Sequence, residues 1–467
     1  MIDINDIHII RKDGKFAVFH PESLRLFYAK ECIGETLRSS PVPSEDSDSL
    51  AEGSIESEDY IPKLLNYISE NIGHDSSKDP AWVNSEPRTL NLMISQDCNL
   101  KCGYCYANCG SYGAERRFMS YVTAKRCIDK LLSKDYANFI VFFGGEPLLN
   151  FSLIKEIDSY LCKRNLRSKY IAVTNGTVIN DEIKNFLNDK LFYLSISLDG
   201  PKDINDKQRF GLNESVHDCI IETIDRLNPR SHSLSIKSII TKKGVNRLTE
   251  IVEHIESFNI DFMAIGSVKA VPQDSEFYID DDAFAEYVQE LTTILVKNIN
   301  RLARGEAVKF RSHISDLLIH MLTKTRKIYM CSAGREFITI TADGDVYPCH
   351  MFIGLEEFHM GNVHDEDFPG ERFTRIRELF YKSNVYTSNH CSSCWARFLC
   401  GGECHWQSYI SYGELSRPTE RRCLEMKSIL EALLPEIADI FQDDTRTKNL
   451  LTSMNYNKRK LGTSRDL

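Results

Sequence analysis

The chain has 467 residues, is 42% hydrophobic and 27% charged, and carries a formal net charge of −10. That balance suits a folded protein of two or three domains and excludes the fibrous and mostly disordered classes. An acidic chain without Lys and Arg gathered on one element argues against nucleic acid as the principal partner, and no apolar run is long enough to span a bilayer.

Met1 to Ile10 lacks a basic region followed by an apolar stretch, so the chain is expected in the cytoplasm. In that compartment its 15 cysteines are better explained by metal or cluster ligation than by disulfides. Ile9 to Ala29 reads as short strands turning at Asp13-Gly14 and His20-Pro21. An acidic, Ser-rich stretch follows from Ser39 to Glu58, expected as a linker, and then a helix from Tyr60 to Ile72.

From Leu90 to about Val271 short β-branched or aromatic runs alternate with amphipathic stretches. Strands are expected at Leu90 to Ser95, Phe139 to Phe143, Tyr170 to Thr174, Phe192 to Leu198, Leu234 to Ile240 and Phe262 to Ala270. The intervening helices are expected at Tyr121 to Ser133, Ser152 to Leu161, Asp181 to Asn188, Ser215 to Leu227 and Arg247 to Phe258. This alternation predicts an α/β fold with a parallel sheet, closed fully or partly into a β/α barrel. Helices over Asp281 to Arg304 and His313 to Thr323 come next, then a hairpin from Phe337 to Tyr347 turning at Asp343-Gly344. The expected divisions are 1–88, 89–325, 326–425 and 426–467, the last a helix and polar tail.

Cys98, Cys102 and Cys105 stand at Cys-x3-Cys-x2-Cys spacing just after the first barrel strand. Three thiolates suit a 4Fe-4S cluster with one iron open; a zinc site is the rival on spacing alone. Gly144-Gly145-Glu146-Pro147 ends the second strand, where paired glycines allow close backbone approach and a carboxylate can accept from an ammonium. Read singly, the same residues are a strand-to-helix turn. Seven further cysteines, Cys331, Cys349, Cys391, Cys394, Cys400, Cys404 and Cys423, form a dense array near the carboxyl terminus. The remaining five, Cys32, Cys109, Cys127, Cys162 and Cys219, are expected as buried small hydrophobes, with Cys109 close enough to Cys105 to approach the site.

The triple-cysteine segment, with Tyr104 before its last cysteine, and the Gly-Gly-Glu-Pro turn resemble the radical S-adenosylmethionine (SAM) enzymes. The carboxy-terminal pattern, Gly-x4-Cys then Cys-x2-Cys-x5-Cys-x3-Cys, resembles the SPASM domain. The resemblance implies a partial (β/α)6 barrel with a cysteine-rich SPASM domain and a small α+β amino-terminal region. It implies three 4Fe-4S clusters: one binding SAM on Cys98, Cys102 and Cys105, and two auxiliary. The first auxiliary cluster would take Cys331, Cys349 and Cys404, and the second Cys391, Cys394, Cys400 and Cys423. Near SAM or substrate it places Tyr104, Gly144, Gly145, Glu146, Asn175, Ser197 and Asp199, with Arg209 facing the SAM carboxylate.

Only three cysteines serve the first auxiliary set, and Met321 to Met330 supplies no fourth. An iron open to a substrate sulfur suits thioether formation, so the leading expectation is a maturase of ribosomal precursor peptides resembling sactipeptide and ranthipeptide synthases. Its partners would be the precursor peptide and a flavodoxin or ferredoxin, and the amino-terminal strands resemble a divergent leader-recognition domain that adds an edge strand. The alternatives are an anaerobic sulfatase-maturating enzyme, a carbon-carbon crosslinking or epimerising peptide enzyme, and a nonenzymatic iron-sulfur or zinc protein.

Overall fold

The computed structural model describes residues 7–29, 87–133 and 138–461, with side chains through residue 454. The expected linker and the expected helix at Tyr60 to Ile72 lie outside the described residues, as does Cys32. An eight-stranded sheet runs β11-β10-β4-β5-β6-β7-β8-β9. Its parallel strands are β4 (Thr89–Ser95), β5 (Asn138–Gly144), β6 (Ser168–Thr174), β7 (Leu191–Ser197), β8 (Ser233–Ile240) and β9 (Phe262–Ser267). The crossover helices are α1 (Tyr121–Leu131), α2 (Phe151–Arg164), α3 (Asp181–Lys190), α4 (Lys202–Gln208), α5 (Val216–Arg226) and α6 (Leu248–Glu256).

These strands form because their apolar residues are covered rather than alternately wet. Leu90, Leu92, Ile94, Ile140, Leu194, Ile196, Leu234 and Ile236 are fully buried in one continuous core with Ile157, Ile220, Ile224 and Ile255 of the helices. Several crossover helices start on side-chain caps, Ser120, Asn180 and Ser215 each accepting a backbone N–H. The six parallel strands do not close on themselves: β9 forms one edge of the sheet. The expected last strand stops at Ser267, and Ala270 sits beyond it at φ 61°.

At the other edge the hairpin of β10 (Phe337–Ile340) and β11 (Val346–Tyr347) joins the barrel, β10 lying parallel to β4 with Phe337 opposite Thr89. Between β9 and this hairpin come α7 (Asp281–Ala303) and α8 (Ser312–Thr323). After it come α9 (Glu371–Lys382), α10 (Arg397–Cys400), α11 (His405–Tyr412), α12 (Glu420–Ile440) and α13 (Asp444–Leu461). The amino-terminal strands β1 (His8–Lys12), β2 (Lys15–His20) and β3 (Arg25–Ala29) form an antiparallel sheet. It packs on α12 rather than over the barrel. Lys15 pairs with Glu436 of α12 at 2.6 Å, and His8 stacks on Trp395 at 3.8 Å. Among the described residues no helix is long and apolar enough to cross a membrane.

Candidate active site

Cys98, Cys102 and Cys105 lie on the loop after β4, at the carboxyl end of the sheet where barrel chemistry sits. Local geometry holds this loop tightly. The Asp97 carboxylate accepts from the Cys98 amide at 2.8 Å, and the Asp97 carbonyl accepts from the Glu146 amide at 2.8 Å. A Cβ on Gly144, whose φ is 141°, would stand 2.0 Å from the Ser95 carbonyl oxygen; one on Gly145 would stand 2.3 Å from the Asp97 carbonyl oxygen. The Gly-Gly pair is thus required for β5 to close against the cysteine loop.

The three cysteines are partly buried, and desolvation raises Cys98 to about 12 and Cys102 to about 11. N–H groups surround them. The Leu100 amide donates to Cys98 Sγ at 3.4 Å, Asn175 Nδ2 reaches the same sulfur at 3.7 Å, and the Cys109 amide donates to Cys105 Sγ at 3.3 Å. Arg209 Nη1 lies 3.9 Å from Cys102 Sγ. Donors aimed at buried sulfurs, with no counter-cation of their own except this guanidinium, fit thiolates that a metal cluster neutralises.

Glu146 is wholly buried and braces two strand ends. Its Oε2 accepts from the Asn175 amide at 2.7 Å, and its Oε1 accepts from Thr174 Oγ1 at 2.8 Å and from the Leu148 amide at 3.0 Å. Desolvation nevertheless lifts its carboxyl to about 7. Asn175 completes the link by donating to Asn99 Oδ1 at 2.8 Å.

Asp199, Arg209 and Tyr104 form one hydrogen-bonded network. Arg209 grips Asp199 with two donors at 2.9 and 3.1 Å, Tyr104 donates its hydroxyl to Asp199 at 2.7 Å, and the Ile239 amide donates to it at 3.1 Å. The guanidinium expected to face the SAM carboxylate thus binds Asp199 through Nε and Nη2 and turns Nη1 toward Cys102 Sγ. Ser197 ends β7 opposite Lys237 of β8.

The seven later cysteines fall into two groups of electrostatic neighbours. Cys391, Cys394, Cys400 and Cys423 act on one another, and Cys331, Cys349 and Cys404 do likewise. Burial pushes Cys391 to about 11 and raises Cys349 further. Cys391 and Cys394 close a turn through the Cys394 amide and Cys391 carbonyl at 2.9 Å, while Cys423 rides in the first turn of α12. Glu403 fastens the groups together, accepting from the Cys404 amide at 2.8 Å and from Thr419 Oγ1 at 2.7 Å. Among the described residues no three His, Cys, Asp or Glu side chains converge as a single-ion site, whereas a cluster spaces its thiolates more widely.

Aromatic side chains connect the first trio to the barrel loop. His350, beside Cys349, packs on Phe143 at 4.8 Å and on Tyr106 at 5.8 Å. Beyond the trio a cavity of about 810 Å³ opens between the end of β9 and α11–α12, lined by Lys269, Tyr278, Glu403, Trp406, Arg422 and Glu425. Of the other cysteines, Cys127 is buried, while Cys162 is exposed and Cys219 partly so, because both sit on outward faces of crossover helices. Sequence reasoning did not single out Asn99, Lys237, Lys269 or Glu403: Asn99 and Glu403 are variable positions inside the cysteine motifs, and Lys237 and Lys269 stand in no motif.

A profile described as the Radical SAM superfamily matches residues 92–257, and one described as an iron-sulfur cluster-binding domain, SPASM, matches 331–395. Uncharacterized protein MJ0907 of Methanocaldococcus jannaschii is 30% identical over 287 residues, 60% of this chain and 89% of its own. The cysteine-type anaerobic sulfatase-maturating enzyme of Clostridium novyi is 25% identical over 340 residues, 68% of this chain and 88% of its own. Streptococcus suis SuiB bound to precursor peptide SuiA shares the fold at TM-score 0.51 and 17% identity, over 90% of this chain and 98% of SuiB. The chain belongs to the radical SAM superfamily and carries a SPASM iron-sulfur cluster-binding domain.

Proposed function

We propose that this protein is a peptide maturase that joins a cysteine sulfur to a carbon of another residue in a ribosomally made precursor. In this reading Cys98, Cys102 and Cys105 hold the SAM-binding cluster, Cys331, Cys349 and Cys404 the first auxiliary cluster, and Cys391, Cys394, Cys400 and Cys423 the second. Bound there, the first cluster and SAM supply a 5′-deoxyadenosyl radical once a donor such as flavodoxin or ferredoxin provides an electron. The protein's own part is positioning and the exclusion of water. Glu146 ties the ends of β5 and β6 together beneath the cysteine loop, and the Asp199–Arg209–Tyr104 network ties that loop to β7 and β8.

The observation that carries the reading is the incomplete trio. Among the described residues Cys331, Cys349 and Cys404 meet without a fourth cysteine, and Lys269 and Glu403 link their surroundings to the large cavity at the barrel mouth. That leaves a place for a substrate thiol within reach of the barrel interior. SuiB, whose fold is similar, binds a precursor peptide. The amino-terminal sheet, which this reading assigns to leader capture, leaves β1 as an edge strand.

Sulfatase maturation is the second reading, favoured by the likeness to the Clostridium novyi enzyme. Deoxyadenosine formation by the anaerobically reconstituted enzyme tests the first reading. With the Cys-containing peptide encoded beside the gene, the rate should rise at least tenfold over the peptide-free rate, and Cys→Ser peptides should leave it at baseline. Equal stimulation by cysteine and serine peptides overturns the thioether reading.

A further inference from the structure

We propose that the floor of the barrel, at the end opposite the cysteine loop, holds a second ligand site that takes a small oxyanion, a phosphate or carboxylate group, on Arg230 and His232. A cavity of about 710 Å³ opens there among the amino-terminal ends of β7, β8 and β9. Arg230 and His232, two residues apart on the approach to β8, both line it.

Each is buried and short of a partner. The Arg230 side chain is 9% exposed; it donates from Nη1 to Asn228 Oδ1 at 2.6 Å and from Nη2 to Asp261 Oδ2 at 3.3 Å. Its Nε finds no acceptor among the described residues. His232 is 5% exposed, and neither ring nitrogen has a partner among them. Desolvation followed by the charge of Arg230 holds the ring neutral, so it keeps one N–H to donate. Two buried donors left unpaired are destabilising, and native proteins relieve that with a bound water or ion.

Charge favours an anion over water. Asp261 is the one carboxylate among the described residues that line the cavity, and it is already bound by Arg230 and by the Leu234 amide at 3.0 Å. Lys309 acts on both Arg230 and Asp261, while its ammonium donates to the neutral carbonyls of Glu256 and Phe258. The Glu256 carboxylate beside it is held by Arg301 at 3.0 Å. A third cation, Lys169, lies 4.6 Å over the ring of Phe192, which also lines the cavity. An oxyanion offers each of the two idle donors an acceptor and answers this positive surplus. None of these side chains belongs to the cysteine sets or to the Asp199 network, so the site is separate from SAM cleavage.

The test uses the reconstituted holoenzyme with ¹³C at Cε1 of its histidines, followed by NMR without oxygen in chloride buffer of constant ionic strength and neutral pH. The His232 resonance is the one missing from His232→Leu. Inorganic phosphate and acetate are titrated separately. The expected result is a saturable shift of that resonance with at least one of them, and the anion that acts at the lower concentration names the source. Arg230→Lys keeps the charge that pairs with Asp261 but removes Nε. It should raise the half-saturating concentration about tenfold or more, with 5′-deoxyadenosine formation unchanged. Should Arg230→Lys fail to fold, calorimetry of the same anion with the parent and His232→Leu replaces it, with the same weakening expected. No shift of the His232 resonance with either anion, or equal affinity in parent and variant, overturns the proposal.

Discussion

At the scale of single residues, the site depends on buried charges that are paired with one another before any ligand arrives. Asp199 is fully buried and Arg209 nearly so, and the pair also holds Tyr104 on the cysteine loop. Removing one partner strands the other charge, so Asp199→Leu should cost about 3–5 kcal/mol in denaturant unfolding. The Asp199→Leu, Arg209→Met double variant should recover part of that loss. A double variant less stable than the single would contradict this pairing. Resemblance marked both residues, Asp199 near SAM or substrate and Arg209 at the SAM carboxylate. That they bind each other depends on α4, which carries Arg209 back to the end of β7, and that short helix has no clear signal in the sequence.

His232 gives a pH signature away from the site. It is buried at the start of β8, neither ring nitrogen finds a partner among the described residues, and desolvation followed by the charge of Arg230 lowers its pKa to about 4. The unfolded chain binds a proton near pH 6.5 that the folded chain refuses until about pH 4, so stability falls as pH drops through that window. The loss should be on the order of 3 kcal/mol. The stability difference between the parent and His232→Leu should therefore move in favour of the variant from pH 7 to pH 4.5, read as the urea midpoint. A difference independent of pH would contradict this assignment.

At the scale of elements, the six barrel strands were legible because each is a short run rich in apolar residues, four of them soon followed by Asp97, Gly144, Asn175 and Asp199. Buried parallel strands leave that mark. The helices after the hairpin were less so: α9, α11 and α13 are mostly polar outside a few buried positions, and α12 begins among cluster cysteines. The joining of β10 to β4 was not legible either, because a parallel pairing between strands some 250 residues apart leaves no local pattern. The tightest junction is β5 against the cysteine loop. Gly144→Ala would drive a methyl group into the Ser95 carbonyl. We expect the variant to lose about a third of its bound iron and its 5′-deoxyadenosine formation, with the carboxy-terminal clusters kept. Full iron with full SAM cleavage would show that the junction tolerates a side chain.

At the scale of the whole molecule, ten cysteines from two stretches of the chain gather as three, three and four. The grouping could be read from spacing only through resemblance, because Cys404 lies between Cys400 and Cys423 in sequence yet sits with Cys331 and Cys349. If all three sets carry 4Fe-4S clusters, the protein should hold about 12 iron atoms per chain. Cys391→Ala with Cys394→Ala should remove about a third of them while SAM cleavage persists. Loss of all iron would instead mean that the second set is needed for folding.

The central claim is that a sulfur-to-carbon bond is made in a peptide. It is tested most directly by high-resolution mass spectrometry of the short Cys-containing peptide encoded beside the gene, coexpressed with the enzyme without oxygen and then alkylated and fragmented. The account predicts a loss of two hydrogens together with one alkylatable thiol for each link, with fragments locating the carbon. A loss of two hydrogens with every thiol still free, or an unchanged peptide, would contradict it.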